Sequence, residues 1–207
     1  MSALSCAFAL ALISATPTAD RRPLALSEVD DAARYLFQSA RDAKWMEADA
    51  QLQTLKHAFE DLPAGLGPGD VAISLRGRMR ELPDAVSQRD RVRTMEAANA
   101  ITQSVIGLSS QFQSSVPAQV PTLAYLGRQI ELGIAAARPA LITRATADIS
   151  QTWNELRPQL EHAGHAADVR RMTDIVVSLE GTNSAAEEAS LARAELDVVS
   201  HLEAELK

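Results

Sequence analysis

Apolar residues in this chain return at intervals of three and four, almost without a break from residue 27 to the C-terminus. Trp45, Ala48, Leu52, Leu55, Phe59 and Leu62 draw one line down a helix, and so do Val120, Leu123, Gly127, Ile130, Ile134 and Ala137. No stretch alternates with period two over the length of a strand. A chain patterned in this way can bury its apolar faces only by packing helix on helix, so an all-α fold is expected. Composition says what fills that core. Hydrophobic residues make up 46% of the 207 but aromatics only 4%, which leaves Ala, Leu, Ile and Val as the main packing material.

Breakers divide the pattern into six to eight helices. Ser27 and Asp30 read as a capping box that opens the first. "PAGLGPGD" (63–70) is a firm break. Leu75, Met79, Leu82 and Val86 keep register across Pro83, so a kink is expected there and not an end. A fourth helix is expected over about 90–114, a fifth after "VPAQVP", and a sixth from Pro139 that Pro158 and Gly164 loosen. Val169 to Leu179 mark a seventh, and a last helix follows Gly181-Thr182-Asn183. Met46 to Leu52 echoes Met95 to Ile101, and Arg138 opens a comparable segment the same distance on. A period near fifty is not that of a tetratricopeptide array. Antiparallel hairpins in a bundle or short α-solenoid are expected, in one domain over 27–207 with sub-halves 27–115 and 117–207.

Residues 3–15, "ALSCAFALALISA", are too few to span a bilayer but suit the apolar region of a signal peptide, with Ile13-Ser14-Ala15 at the cleavage end and 16–26 as linker. The segment before them carries no Lys or Arg. Cys6, the single cysteine, would leave with that segment, and the mature chain would hold no disulfide. The expected location is the periplasm or the exterior, with no transmembrane segment in the mature chain. Arginine greatly outnumbers the three lysines, a coding bias of GC-rich bacteria. The net charge of -7 and the interleaving of Arg76 to Arg93 with Glu81, Asp84 and Asp90 argue against nucleic acid.

Chemistry-bearing motifs are few. His162 and His165, three apart with Glu161 adjacent, are the candidate metal ligands, although Gly164 between them favours a frayed, wet helix end. Glu-x-x-His, Cys-x-x-Cys-His and Gly-x-Ser-x-Gly are all absent. Gly65-x-Gly67-x-Gly69 has no strand before it to make it a phosphate loop. No catalytic residue and no cofactor is assigned, and an enzyme is not expected. Trp45 and Trp153 are expected in the core or at an interface. In the fifth helix Tyr125, Arg128 and Glu131 are the polar candidates. If that helix is central, Arg128 is partly buried and must be paired, with Glu131 as its expected partner.

"YLGRQIEL" (125–132), with Trp153 and Leu156-Arg157-Pro158, is similar to a loose group of small exported helical proteins of bacteria over about residues 90–160. The resemblance implies an exported helical bundle and carries over no functional residue. The expectation is therefore a non-enzymatic binding or scaffolding protein of the bacterial cell envelope, with another envelope protein as partner. The alternative is a helical carrier of a metal ion or of haem held by Met46 or Met172 with a histidine.

Overall fold

The computed structural model describes residues 22–63, 66 and 69–206, which form eight α-helices and, among the described residues, no β-strand. They are α1 (Leu24–Arg41), α2 (Trp45–Glu60), α3 (Gly69–Ser87), α4 (Arg91–Ser109), α5 (Gln119–Ala135), α6 (Pro139–Ala163), α7 (Ala166–Gly181) and α8 (Ala185–Glu205). The apolar N-terminal run, Cys6 and most of the glycine-rich break lie outside the described residues.

Helix α1 starts three residues before the expected capping box. Pro23 presets φ at -58° and its carbonyl accepts the Leu26 N–H at 3.1 Å. That places Leu26 wholly in the core. Burying a leucine is worth roughly 1.5–3 kcal/mol, against about 1 kcal/mol for a cap, so packing decides the start. Helix α4 does use a cap, with the Arg93 N–H donating to Asp90 Oδ1 at 3.0 Å. It ends at Ser109, short of residue 114, and Phe112 packs against the core from the connection beyond. Pro83 and Pro158 both lie inside helices, α3 and α6.

One turn geometry recurs. At the α1–α2 corner the Lys44 N–H reaches the Ser39 carbonyl at 2.8 Å and the Ala43 N–H reaches Ala40 at 3.1 Å. The same paired bonds close the α3–α4 corner at Asp90 and Arg89, the α5–α6 corner at Arg138 and Ala137, and the α6–α7 corner at His165 and Gly164. This closure needs one residue in the left-handed region, natural only for the last. Ala43, Arg89 and Ala137 occupy it at φ of 57°, 52° and 53°.

The helices assort into two four-helix bundles with the same internal packing. In the first, α1 lies against α2 and α4, and α3 against α4 and α2; in the second, α5 lies against α6 and α8, and α7 against α8 and α6. Each has its own apolar cluster, centred on residues such as Leu36, Leu55 and Ile101 or on Leu123, Ile149 and Trp153. Corresponding positions are 94 residues apart, as Ala43 is from Ala137. Leu26, Val29, Ala33 and Leu36 map onto Val120, Leu123, Gly127 and Ile130, and Ala98, Val105 and Leu108 onto Ala192, Val199 and Leu202, all buried. A whole bundle thus repeats, and within it the hairpin corner recurs at about half that spacing, at Ala43, Arg89 and Ala137. The echo between Met46 and Met95 pairs unlike sites, since the first is 89% exposed and the second 0%.

A left-handed alanine carries a steric penalty that glycine does not. Ala137→Gly is expected to raise stability by about 0.5–1 kcal/mol in urea denaturation; a loss would mean that the corner is set by other contacts.

Candidate functional site

The buried polar and charged residues among those described all lie on four helices: Asp30 and Ser39 on α1; Thr94, Asn99, Thr102 and Ser104 on α4; Arg128 and Glu131 on α5; Glu195 on α8. These helices join the two bundles, since α4 packs on α5 and α1 is tied to both α5 and α8 by ion pairs. The charged members of this set, with Asn99, form a polar seam where the two bundles meet.

Three groups occupy the seam. At one end Asp30 takes Arg34 at 3.0 Å and Arg22 at 3.7 Å, while Arg34 also grips Glu203 at 2.7 Å. Burial pulls the Arg34 guanidinium down, but Asp30 and Glu203 more than reverse that and hold it firmly charged. At the other end Glu131 Oε1 accepts from Arg41 at 2.8 Å, with Arg193 at 3.8 Å. Between them Arg128 donates from Nε to Asn99 Oδ1 at 3.0 Å, and Asn99 donates to the Tyr125 carbonyl at 3.2 Å. The expected Arg128–Glu131 pair is not formed. Both are buried, at 4% and 6% exposure, but α5 splays them toward different neighbours, Arg128 to α4 and Glu131 to α1 and α8.

Glu195 is the unusual member. It is fully buried, and neither carboxylate oxygen has a hydrogen-bond partner among the described residues. Its carboxyl lies over Gly127, where a side-chain carbon would collide with Oε2. Burial pushes its pKa well above the usual 4.5; the Arg128 guanidinium pulls it back in part, and Glu131 pushes it up further. Burial likewise draws Arg128 down to about 10, so it stays charged at neutral pH. A buried acid facing that field is more cheaply kept neutral than ionised. The corresponding residues of the first bundle are Ala33 and Ile101, both apolar and buried.

Where Arg22, Asp30, Arg34 and Glu203 end the seam, a cleft of about 580 Å³ opens between α1, the α4–α5 connection and the end of α8. Its lining combines those charges and Asp31 with Ser109, Ser110, Gln113, Ser114 and Ser115, and with apolar Phe112, Val116, Pro117 and Pro121. Arg22 Nε, Arg34 Nε, Asp30 Oδ1 and Ser109 Oγ are buried at residues of its wall with no hydrogen-bond partner among the described residues. Among the described residues, the lining contains no histidine and no cysteine.

The remaining sequence candidates scatter. Trp45 is half-buried against the first core, and Trp153 sits deep in the second, donating from Nε1 to Thr173 Oγ1 at 3.2 Å. Tyr125 is half-buried; burial lifts its phenol, and the 2.7 Å hydrogen bond from Gln129 partly offsets that. Glu161 and His162 face solvent at the end of α6, where Glu161 approaches Arg157 at 3.7 Å. His165 turns away from both, to Glu205 at 3.0 Å. Met172 lies in the second core and Met46 in solvent, while none of the four histidines is buried. Arg34, Asn99 and Glu195 carried no expectation from the sequence, and Asp30, expected in a capping box, instead pairs with Arg34 and Arg22. Glu195 had a signal, because it interrupts the stripe Ala192, Val199, Leu202 at core spacing.

No known protein family, curated protein or solved structure matches this chain.

The raised Glu195 has a pH consequence. Above about pH 4.5 the unfolded chain releases a proton that the folded chain keeps, so stability falls as pH rises, by at most about 1.4 kcal/mol per unit. Gln cannot ionise. The urea midpoint of Glu195→Gln is therefore expected to gain on that of the parent between pH 4 and pH 8, whereas a difference that stays constant would contradict a raised Glu195.

Proposed function

We propose that this is a non-enzymatic binding protein of the bacterial cell envelope, and that its cleft receives an extended segment of another envelope protein. The observation that carries the reading is the lining of the cleft. Serine hydroxyls and Gln113 offer hydrogen bonds of the kind a peptide backbone needs, and Phe112, Val116, Pro117 and Pro121 offer apolar contact for its side chains. Catalysis has less support. The charged groups of the wall are engaged with one another, and the serines have no histidine beside them to serve as base. Export rests on residues 3–15, with their signal-like apolar run and small residues at the end. No helix among the described residues is long and apolar enough to cross a membrane.

One experiment tests both parts. A photo-crosslinking amino acid is placed at Ser114, in the cleft, or at Met46, exposed on α2, and the cells are irradiated and fractionated. The expected result is a periplasmic chain starting at Thr16, with a discrete adduct from position 114 and none from 46. An intact chain in the cytoplasm would refute export, and equal or absent adducts at both positions would refute the cleft as the binding surface.

A further inference from the structure

Away from the seam, α7 begins beside the end of α8, and four potential ligands converge there. His165 is the residue that caps α7, and Asp168 is in its first turn. His201 and Glu205, four apart, share one face of the last turns of α8. His165 Nδ1 is 3.0 Å from Glu205 Oε2, and ligand atoms of His165, Asp168 and Glu205 all lie within 4.8 Å of one another. His201 Nε2 adds a fourth, at 3.2 Å from Glu205 Oε1 and 4.0 Å from Asp168 Oδ1. Ligands around a tetrahedral zinc ion stand roughly 3.3 Å apart, given metal–ligand bonds near 2.0–2.2 Å. The two separations from Glu205, 3.0 and 3.2 Å, are close to that value; His201 stands 4.0 Å from Asp168 and outside the set within 4.8 Å of one another, so a side-chain rotation is needed to bring it into the shell.

The other bundle provides an internal control. The positions 94 residues earlier are Val71, Ser74, Gly107 and Gln111. They form the same corner, because a side-chain carbon built at Gly107 would come 4.0 Å from Val71 Cγ1. None of those four offers an imidazole or a carboxylate. All four positions of the second corner do, on two separate helices. A solvated charge pattern does not require such convergence, and ion pairing alone does not require two imidazoles with two carboxylates. Mixed nitrogen and oxygen donors favour a first-row transition ion over calcium or magnesium, which take oxygen.

We propose that His165, Asp168, His201 and Glu205 bind one divalent transition-metal ion, of which zinc is the probe, clamping the start of α7 to the end of α8. This site is independent of what occupies the cleft. It also differs from the set His162, His165 and Glu161, of which it keeps only His165.

The test uses the full chain, stripped with a chelator and titrated with Zn²⁺ alone by equilibrium dialysis and thermal melting. The expected result is one ion per chain and a melting temperature raised by about 5–10 °C at a hundredfold excess over Kd. His165→Ala/His201→Ala is expected to weaken uptake at least about tenfold, as is Asp168→Asn, which keeps the shape of the side chain. The control His57→Ala/His162→Ala, at two exposed histidines, keeps it. Circular dichroism confirms that each variant is folded. Absence of stoichiometric uptake, or uptake lost in the control and retained in His165→Ala/His201→Ala, overturns the site.

Discussion

The molecule depends on how two apolar bundles meet along helices that carry charge. Taking an ion out of water costs several kcal/mol, repaid only when partners stand close and in good geometry. Here those partners come from other helices: Arg34 of α1 holds Glu203 of α8, Arg41 of α1 holds Glu131 of α5, and Arg128 of α5 holds Asn99 of α4. Sliding one bundle past the other by a helical turn would separate all three contacts and strand the charges. An apolar seam would tolerate several registers; this one favours a single arrangement. The cleft follows from that arrangement, because its inner wall is the Arg22, Asp30, Arg34 and Glu203 cluster where the seam runs out.

The packing order and buried register that the two bundles share make their differences informative. The buried register of α1 and α4 recurs in α5 and α8, and left-handed Ala43 recurs as Ala137. On that common frame, Ala33 and Ile101 become Gly127 and Glu195 in the seam, and Val71 and Gly107 become His165 and His201 at the outer corner. Gly127 and Glu195 form one change, since the carboxyl occupies the space that a side chain at 127 would take. The second bundle thus carries both the buried acid and the histidine corner, on a scaffold that the first bundle builds without either.

Much of the architecture was legible in the sequence. The 3–4 spacing marked all the helices, Gly164 marked the end of α6, and Asp90 marked the start of α4, because those features act within a turn or two. The start of α1 was misplaced because Leu26 is claimed by a core that distant helices build. The corners at Ala43, Arg89 and Ala137 keep the expected period near fifty, but the letter match of Met46 with Met95 was out of register for a related reason. The repeat is defined by burial register and not by residue identity, and Met46 and Met95 match in letters while one faces water and the other the core. In the site, the burial of Arg128 and Glu131 could be anticipated from the apolar residues around them, but their partners could not. Asn99 and Arg41 lie 29 and 90 positions away, at distances that no local pattern encodes. The same holds for His165, whose neighbour Glu205 is 40 residues on, while the adjacent His162 points to solvent.

Burial with no hydrogen-bond partner among the described residues raises the Glu195 carboxyl and favours its neutral form, against the pull of Arg128. Infrared difference spectroscopy between the parent chain and Glu195→Gln at pH 7 tests it directly, in a single group. The expected result is a band from the carbonyl stretch of a protonated carboxylic acid, insensitive to small changes of pH around neutrality. A difference spectrum showing only the paired stretches of a carboxylate would contradict it, and would mean that Glu195 and Arg128 form an ion pair.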